Sequence, residues 1–139
     1  MSLVGRIRII PRKLLEDERG WFLKVIEGSE KGLPPYTGEV YLTMALPGQT
    51  RGSHYHKIAQ EWFTVVQGSA IALLRDMETG EDLELNFSAS EPVTLYVPPG
   101  IAHTFRNLSR PPEPMILVAY SDRPYDPADT VLYTNPQMP

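Results

Sequence analysis

All three histidines of this chain, His54, His56 and His103, fall in two short segments, and a glutamate, Glu61, lies in the first of them. The first segment runs from Gly48 to Gly68, the second from Pro98 to Asn107. Paired as strands, they would bring three imidazoles and one carboxylate to a point. That is a coordination set for a divalent transition metal, and mixed imidazole and carboxylate ligation suits Zn, Fe, Ni or Mn. The plainer reading is a group of core histidines satisfied by hydrogen bonds. A lone histidine is usually structural; three with a carboxylate in this register are poorly explained that way.

The elements that position these residues must be extended. His54 and His56 are two apart, so on a strand both rings face the same way. Proline (14) and glycine (10) punctuate the chain at short intervals, which disfavours long helices. Alternating or β-rich runs are expected as strands at 6–10, 21–27, 39–46, 61–67, 69–76, 83–87, 93–97, 103–107 and 115–120. One helical turn is expected near Pro11 to Asp17. Many short strands with turns between them predict an all-β sandwich or barrel with a cavity lined by inward-facing side chains. Gly68 is expected to make a tight turn, Gly100 a left-handed or closely packed backbone, and Asn107 a loop cap. Trp62 and Phe63 are expected in the core, one of them facing outward or into a dimer seam.

Size and composition bound the rest. A chain of 139 residues predicts one domain, 1–139. A net charge of -4 with scattered Lys and Arg gives no sign of a nucleic-acid partner. The absence of cysteine excludes disulfides, zinc fingers and a thiol nucleophile. No signal peptide and no stretch long enough to span a membrane is read, so a cytoplasmic protein without a membrane partner is the expectation.

The spacing of Gly48, His54, His56, Glu61 and Gly68, followed by Pro98, Gly100, His103 and Asn107, resembles the two signature motifs of the cupin superfamily. Pro92 stands where the second motif usually opens with glycine. The resemblance implies a small double-stranded β-helix, a jelly-roll barrel with its core at about 37–121 and N-terminal strands within 4–30. It also implies a metal held by His54, His56, Glu61 and His103.

Asp17-Glu18-Arg19-Gly20-Trp21-Phe22 and Arg51-Gly52-Ser53-His54 further resemble the dTDP-4-dehydrorhamnose 3,5-epimerase group, which acts on nucleotide-linked 4-keto-6-deoxy sugars. That resemblance implies His54 as the base beside the ketone and Arg19 and Arg51 as diphosphate contacts. It also implies a tyrosine acid that falls nearest Tyr120. The group has glutamine at the position of His56 and lysine near Glu61, and needs no metal.

A second resemblance, to the cupin domain of capsular-polysaccharide reductase-epimerases, rests on Arg51-Gly52-Ser53-His54-Tyr55-His56, Glu61 and the segment from Pro98 to His103. It continues through Tyr125-Asp126-Pro127 and Asp129-Thr130. Nucleotide-sugar ketoisomerases share the Arg-Gly-x-His-x-His run, followed by lysine as in Lys57.

These resemblances imply an epimerase or ketoisomerase that removes a proton next to a ketone of a nucleotide sugar, in a homodimer whose N-terminal strand crosses to the partner. His54 cannot be a tight ligand and a free base at once. Tyr41, Tyr55, Tyr96, Tyr120 and Glu39 stand as other acid or base candidates. A metal-dependent cupin dioxygenase and a non-catalytic sugar-binding cupin are the competing readings, and the arginine pair counts against the first.

Overall fold

Proline and glycine cut the chain into short extended runs, and in the computed structural model these pair almost everywhere they can. The structure describes residues 2–138 apart from Arg19, Lys24, Tyr36 and Thr37. Among them one short helix, α1 (Leu3–Arg6), precedes twelve strands. These are β1 (Arg8–Pro11), β2 (Leu15–Asp17), β3 (Gly20–Phe22), β4 (Glu39–Ala45), β5 (Thr50–His56), β6 (Glu61–Gln67) and β7 (Ser69–Asp76). The remainder are β8 (Asp82–Ser88), β9 (Val93–Val97), β10 (Ile101–Asn107), β11 (Met115–Ser121) and β12 (Thr130–Leu132).

Two antiparallel five-stranded sheets form, in the orders β1-β9-β6-β11-β4 and β12-β5-β10-β7-β8. From β4 to β11 the chain passes from one sheet to the other at nearly every step, the β7–β8 hairpin being the exception. This is the expected double-stranded β-helix. Its core lies between the sheets, with Phe63, Val65, Leu95, Val97 and Leu117 on one side and Ala72, Leu74, Ile101 and Phe105 on the other. The rings of Phe63 and Phe105 meet across the gap at 5.0 Å. Strict in-and-out alternation along β11, from Met115 to Ser121, carries the sequence pattern directly into burial.

Gly68 and Gly100 adopt positive φ, 77° and 83°. Asn107 caps its loop as expected: its Nδ2 donates to the carbonyls of Ala45 and Glu113, and its Oδ1 accepts from Ser109 N–H. Phe63 is in the core. Trp62 faces the opposite side of β6 and is nonetheless buried, its ring tilted against those of Tyr96 and Tyr120 near Val25 and Ile26.

The N-terminal expectations shift. Helix appears at Leu3–Arg6, where Ser2 Oγ accepts from Gly5 N–H and Glu81 accepts from Leu3 N–H, and not at 11–17. Arg12 N–H instead donates to Pro92 O, prolonging the β1–β9 ladder, and Leu15–Asp17 is a strand. The strand expected at 21–27 ends at Phe22. β1 pairs with β9 at the edge of its own sheet. β12 extends the sheet past the expected boundary at residue 121. Among the described residues no helix is long and apolar enough to cross a membrane.

Candidate active site

Three strands, drawn from both sheets, converge inside the barrel. β5 supplies His54 and His56, the neighbouring β10 supplies His103, and the facing sheet supplies Glu61 at the start of β6. One potential ligand atom from each lies within 4.8 Å of the others. His56 Nε2 stands 2.7 Å and His103 Nε2 3.5 Å from the same Glu61 Oε1.

A bulge aims this group. His103 pairs with His54 but Thr104 pairs with Gly52, which leaves Ser53 without an opposite residue. Gly52 and Ser53 both take positive φ, 92° and 65°. A Cβ on Gly52 would lie 2.6 Å from His103 O, so glycine is required by space as well as by φ. Arg51 and His54, three apart, would face opposite ways on a regular strand. The extra residue returns Arg51 to register with the inward-facing Phe105, and both side chains line one cavity.

That cavity has two lobes which share Tyr41 and His54. One, about 300 Å³, is walled by Glu39, His56, Glu61, Ser121, Tyr125 and Asp129. The other, about 380 Å³, is walled by Thr43, Arg51, Phe63, His103 and Phe105.

The protons on the rings follow from what lies behind them. His103 Nδ1 faces the carbonyl of Ile101 at 3.1 Å, and a carbonyl can only accept, so that nitrogen carries the hydrogen. Its Nε2 lone pair is left facing Glu61. His56 Nε2, Glu61 Oε1 and His103 Nε2 are buried and find no hydrogen-bond partner among the described residues. At 2.7 Å the His56 nitrogen and the Glu61 oxygen are too close for two bare lone pairs, so a proton or a cation belongs between them. Buried polar atoms are almost always paired. Three unpaired ones aimed at one spot fit a bound cation, so this donor set is suited to a divalent metal.

The outer partners fit the same purpose. Tyr41 OH donates to Glu61 Oε2 at 2.8 Å, and Thr130 Oγ1 lies 3.3 Å from His56 Nδ1. Burial, and then the neighbouring His103 and His56, push His54 down to about 4, so it is neutral at pH 7. Burial pushes His103 down as well. Burial opposes charge on His56 and Glu61, but their mutual attraction outweighs it, raising the first and lowering the second. Burial and the Glu61 charge push Tyr41 up.

The residues singled out from sequence divide as follows. His54, His56, Glu61 and His103 come together. Arg51 stands at the mouth of the second lobe, exposed, with its Nε donating to Met44 O at 2.8 Å. Arg19 lies outside the described residues. Tyr120 does not reach the cavity. It occupies the outward face of β11, against Trp62, and its hydroxyl accepts from Gly38 N–H at 3.3 Å. The inward position is Ser121, one residue on; a single step along a strand reverses the face. The tyrosines that line the cavity are Tyr41 and, from the connection after β11, Tyr125. Sequence reasoning gave Thr130 no role, although its motif with Asp129 was visible; β12 is too short to announce itself.

Fold and site together define a cupin-type barrel with a histidine-rich cavity. Residues 15–133 match the family described as the polysaccharide biosynthesis C-terminal domain, and the chain belongs to that family.

Two curated relatives bear this out in sequence. One is the UDP-2-acetamido-2,6-beta-L-arabino-hexul-4-ose reductase of Pseudomonas aeruginosa, 26% identical over 110 residues. The match takes in 79% of this chain but only 27% of that protein, so the chain spans about a quarter of its length. The other is the spore coat polysaccharide biosynthesis protein SpsL of Bacillus subtilis, 25% identical over 123 residues, 84% of this chain and 80% of the relative.

In structure the chain is similar to the dTDP-6-deoxy-D-glucose-3,5-epimerase RmlC of Legionella pneumophila, solved with dTDP-4-keto-L-rhamnose. The TM-score is 0.81 at 21% identity, covering 99% of this chain and 78% of the other.

Proposed function

We propose that this chain is an isomerase, an epimerase or ketoisomerase, acting on a nucleotide-linked 4-keto-6-deoxy sugar in polysaccharide or deoxysugar biosynthesis. The observation that carries this reading is a neutral imidazole, His54, on the wall shared by both lobes, with Arg51 turned to the same face by the bulge. Relatives named for polysaccharide biosynthesis and for a keto-sugar reductase support the substrate class.

In this reading the diphosphate lies toward Arg51, whose planar fork of donors suits it, and the sugar enters between the lobes. His54 takes the proton from the carbon beside the ketone; the C–H electron pair moves into the new C–C double bond and the carbonyl pair onto oxygen. Protonation of that carbon from the opposite face inverts it; protonation of the former carbonyl carbon, with the hydroxyl proton of the first carbon passing to the enolate oxygen, moves the ketone. At pH 7 His54 is unprotonated and so open to the proton, and the Glu61 charge beside it favours its taking one.

His56, Glu61 and His103 are the residues we propose to hold a divalent transition metal, Zn, Fe, Ni or Mn, which leaves His54 free for the proton. When bound, such an ion would supply a Lewis acid for oxygen on which negative charge develops. We further propose a homodimer, formed through the open edge strand β4, where Val40, Leu42 and Met44 are exposed. The cytoplasm is the setting that a nucleotide-sugar substrate suits.

Solvent deuterium exchange tests the reading. The metal-loaded protein is incubated in D2O with TDP-, UDP- and GDP-linked 4-keto-6-deoxy sugars, and the ring protons are followed by NMR. Loss of the proton beside the ketone, abolished by His54→Ala, is expected. No exchange with any of them sinks the proposal and favours an oxygenase or a binding protein.

A further inference from the structure

The connection from β11 to β12 lines the first lobe of the cavity, and its Asp122 and Asp129 carboxylates bind the loop between the strands that carry His56 and Glu61. Asp129 is buried, and its carboxylate accepts three consecutive backbone N–H groups: Lys57 at 3.0 Å, Ile58 at 2.7 Å and Ala59 at 3.1 Å. Those residues form the loop joining β5 to β6. Next to it, Thr130 pairs with His56 in the β12–β5 ladder. Its single hydroxyl makes two contacts, 3.1 Å to the carbonyl of Asp126 and 3.3 Å to His56 Nδ1.

A hydroxyl has one hydrogen. The Asp126 carbonyl can only accept, so that hydrogen goes to Asp126 and Thr130 presents a lone pair to the ring. Both contacts are satisfied together in one arrangement only, with the hydrogen of neutral His56 on Nδ1. Asp129 Oδ2, 3.8 Å from the same nitrogen, favours that arrangement too. It leaves the Nε2 lone pair 2.7 Å from Glu61 Oε1, an approach that a cation held between the two would relieve.

We infer that Thr130 is a positioning residue: held by Asp126, it fixes the Nδ1–H tautomer of His56 and so keeps the Nε2 lone pair turned into the cavity. The inference rests on the proposed cation site for its purpose, though not for its geometry. His103 reaches the same tautomer through the backbone carbonyl of Ile101. The two rings therefore differ in kind, one fixed by the main chain and one by a side chain that substitution can remove.

The experiment has two readouts on wild type, Thr130→Val and Thr130→Ser. The first is long-range 1H–15N NMR of the metal-free protein above the titration of His56, which reports which ring nitrogen is protonated. The second is Co(II) or Zn(II) affinity by competition titration. Wild type and Thr130→Ser are expected to show His56 protonated at Nδ1. Thr130→Val is expected to populate the other tautomer and to bind metal about 10-fold more weakly, the scale on which such outer partners act.

Wild type with the hydrogen of His56 on Nε2 overturns the inference, even if the valine variant fails to fold. So does a folded valine variant with an unchanged tautomer and unchanged affinity. A wild type that binds neither metal, with the tautomer switching as described, sinks the cation reading and leaves the role of Thr130 standing.

Discussion

Two buried charged clusters lie on opposite sides of the same sheet, and they are built on opposite principles. On the outer face, the Arg12 guanidinium reaches Glu30 Oε1 at 2.6 Å, Thr94 Oγ1 at 2.9 Å and Val25 O at 2.9 Å. Glu30 also accepts the N–H groups of Glu27 and Gly28, and Thr94 and Thr64 exchange a hydroxyl bond at 2.9 Å. Both ionic side chains are about as buried as the core, 5% and 4% exposed. On the inner face, Glu61 is equally buried, yet its Oε1 and the two imidazole nitrogens facing it have no hydrogen-bond partner among the described residues. A cluster that only holds the fold together can satisfy every donor. A cluster that must receive something keeps its lone pairs free and bears the cost.

The largest expected effect belongs to the outer cluster. Arg12→Ala strands the Glu30 carboxylate in a buried site, and removing one partner of such a pair typically costs about 3–5 kcal/mol. Urea unfolding is expected to show a loss of that order, with metal affinity of the folded protein unchanged. A loss near zero would mean that the outer cluster does not stabilise the chain, and the contrast with the inner one would fail.

Acid offers a second test. Burial alone would raise Glu30, but the Glu27 N–H, Arg12 and Gly28 N–H outweigh it and hold its pKa near 2, against 4.5 when exposed. A carboxylate depressed in the folded state contributes stability above 4.5 that is lost as pH falls toward 2. The stability difference between wild type and Glu30→Gln is expected to shrink over that window and to be flat above it. A difference that persists at pH 2 would remove the ionic account of this cluster.

The inner cluster is expected to respond in the reverse sense. Glu61→Gln can keep an acceptor for Tyr41 and turn its amide toward the bare imidazole nitrogens. Metal-free stability is expected to hold or rise by about 1 kcal/mol, as when an unpaired buried group gains a partner. Metal affinity is expected to fall by more than about 10-fold. Calorimetry with and without metal separates the two. A strong destabilisation of the metal-free protein would mean that Glu61 is structural, like Glu30, and that the two clusters are of one kind.

How much of this was legible beforehand differs between the two faces. The inner cluster is written in residue types and spacing: histidines two apart on a strand, a glutamate opening the next, a third histidine after Pro98-Pro99-Gly100. Period-two geometry is local, so it survives in sequence. The outer cluster was not visible, because Arg12 and Glu30 meet only once the segment between them has folded over β9 and β6. The bulge was equally hidden. Arg51-Gly52-Ser53-His54 reads as an ordinary strand, and only the pairing with β10 shows that one residue is extra. Tyr120 was misplaced for the complementary reason, since on a regular strand an offset of a single residue is enough to put a side chain on the wrong face.

The smallest predicted change is Tyr41→Phe, and it bears on where the two clusters meet in principle. Tyr41 gives Glu61 a hydrogen bond from outside the histidine group, at 2.8 Å, and so plays for Glu61 the part that Arg12 plays for Glu30. The hydroxyl is neutral, so its loss should cost about 1 kcal/mol and not several. It should also raise the Glu61 pKa, because a hydrogen bond that favours the charged form is gone. Metal affinity measured against pH is therefore expected to fall off at a higher pH in Tyr41→Phe than in wild type, with the plateau at neutral pH little changed. An unchanged acid limb would mean that the Tyr41 bond does not favour the charged form of Glu61, and that the inner cluster depends on its histidines alone.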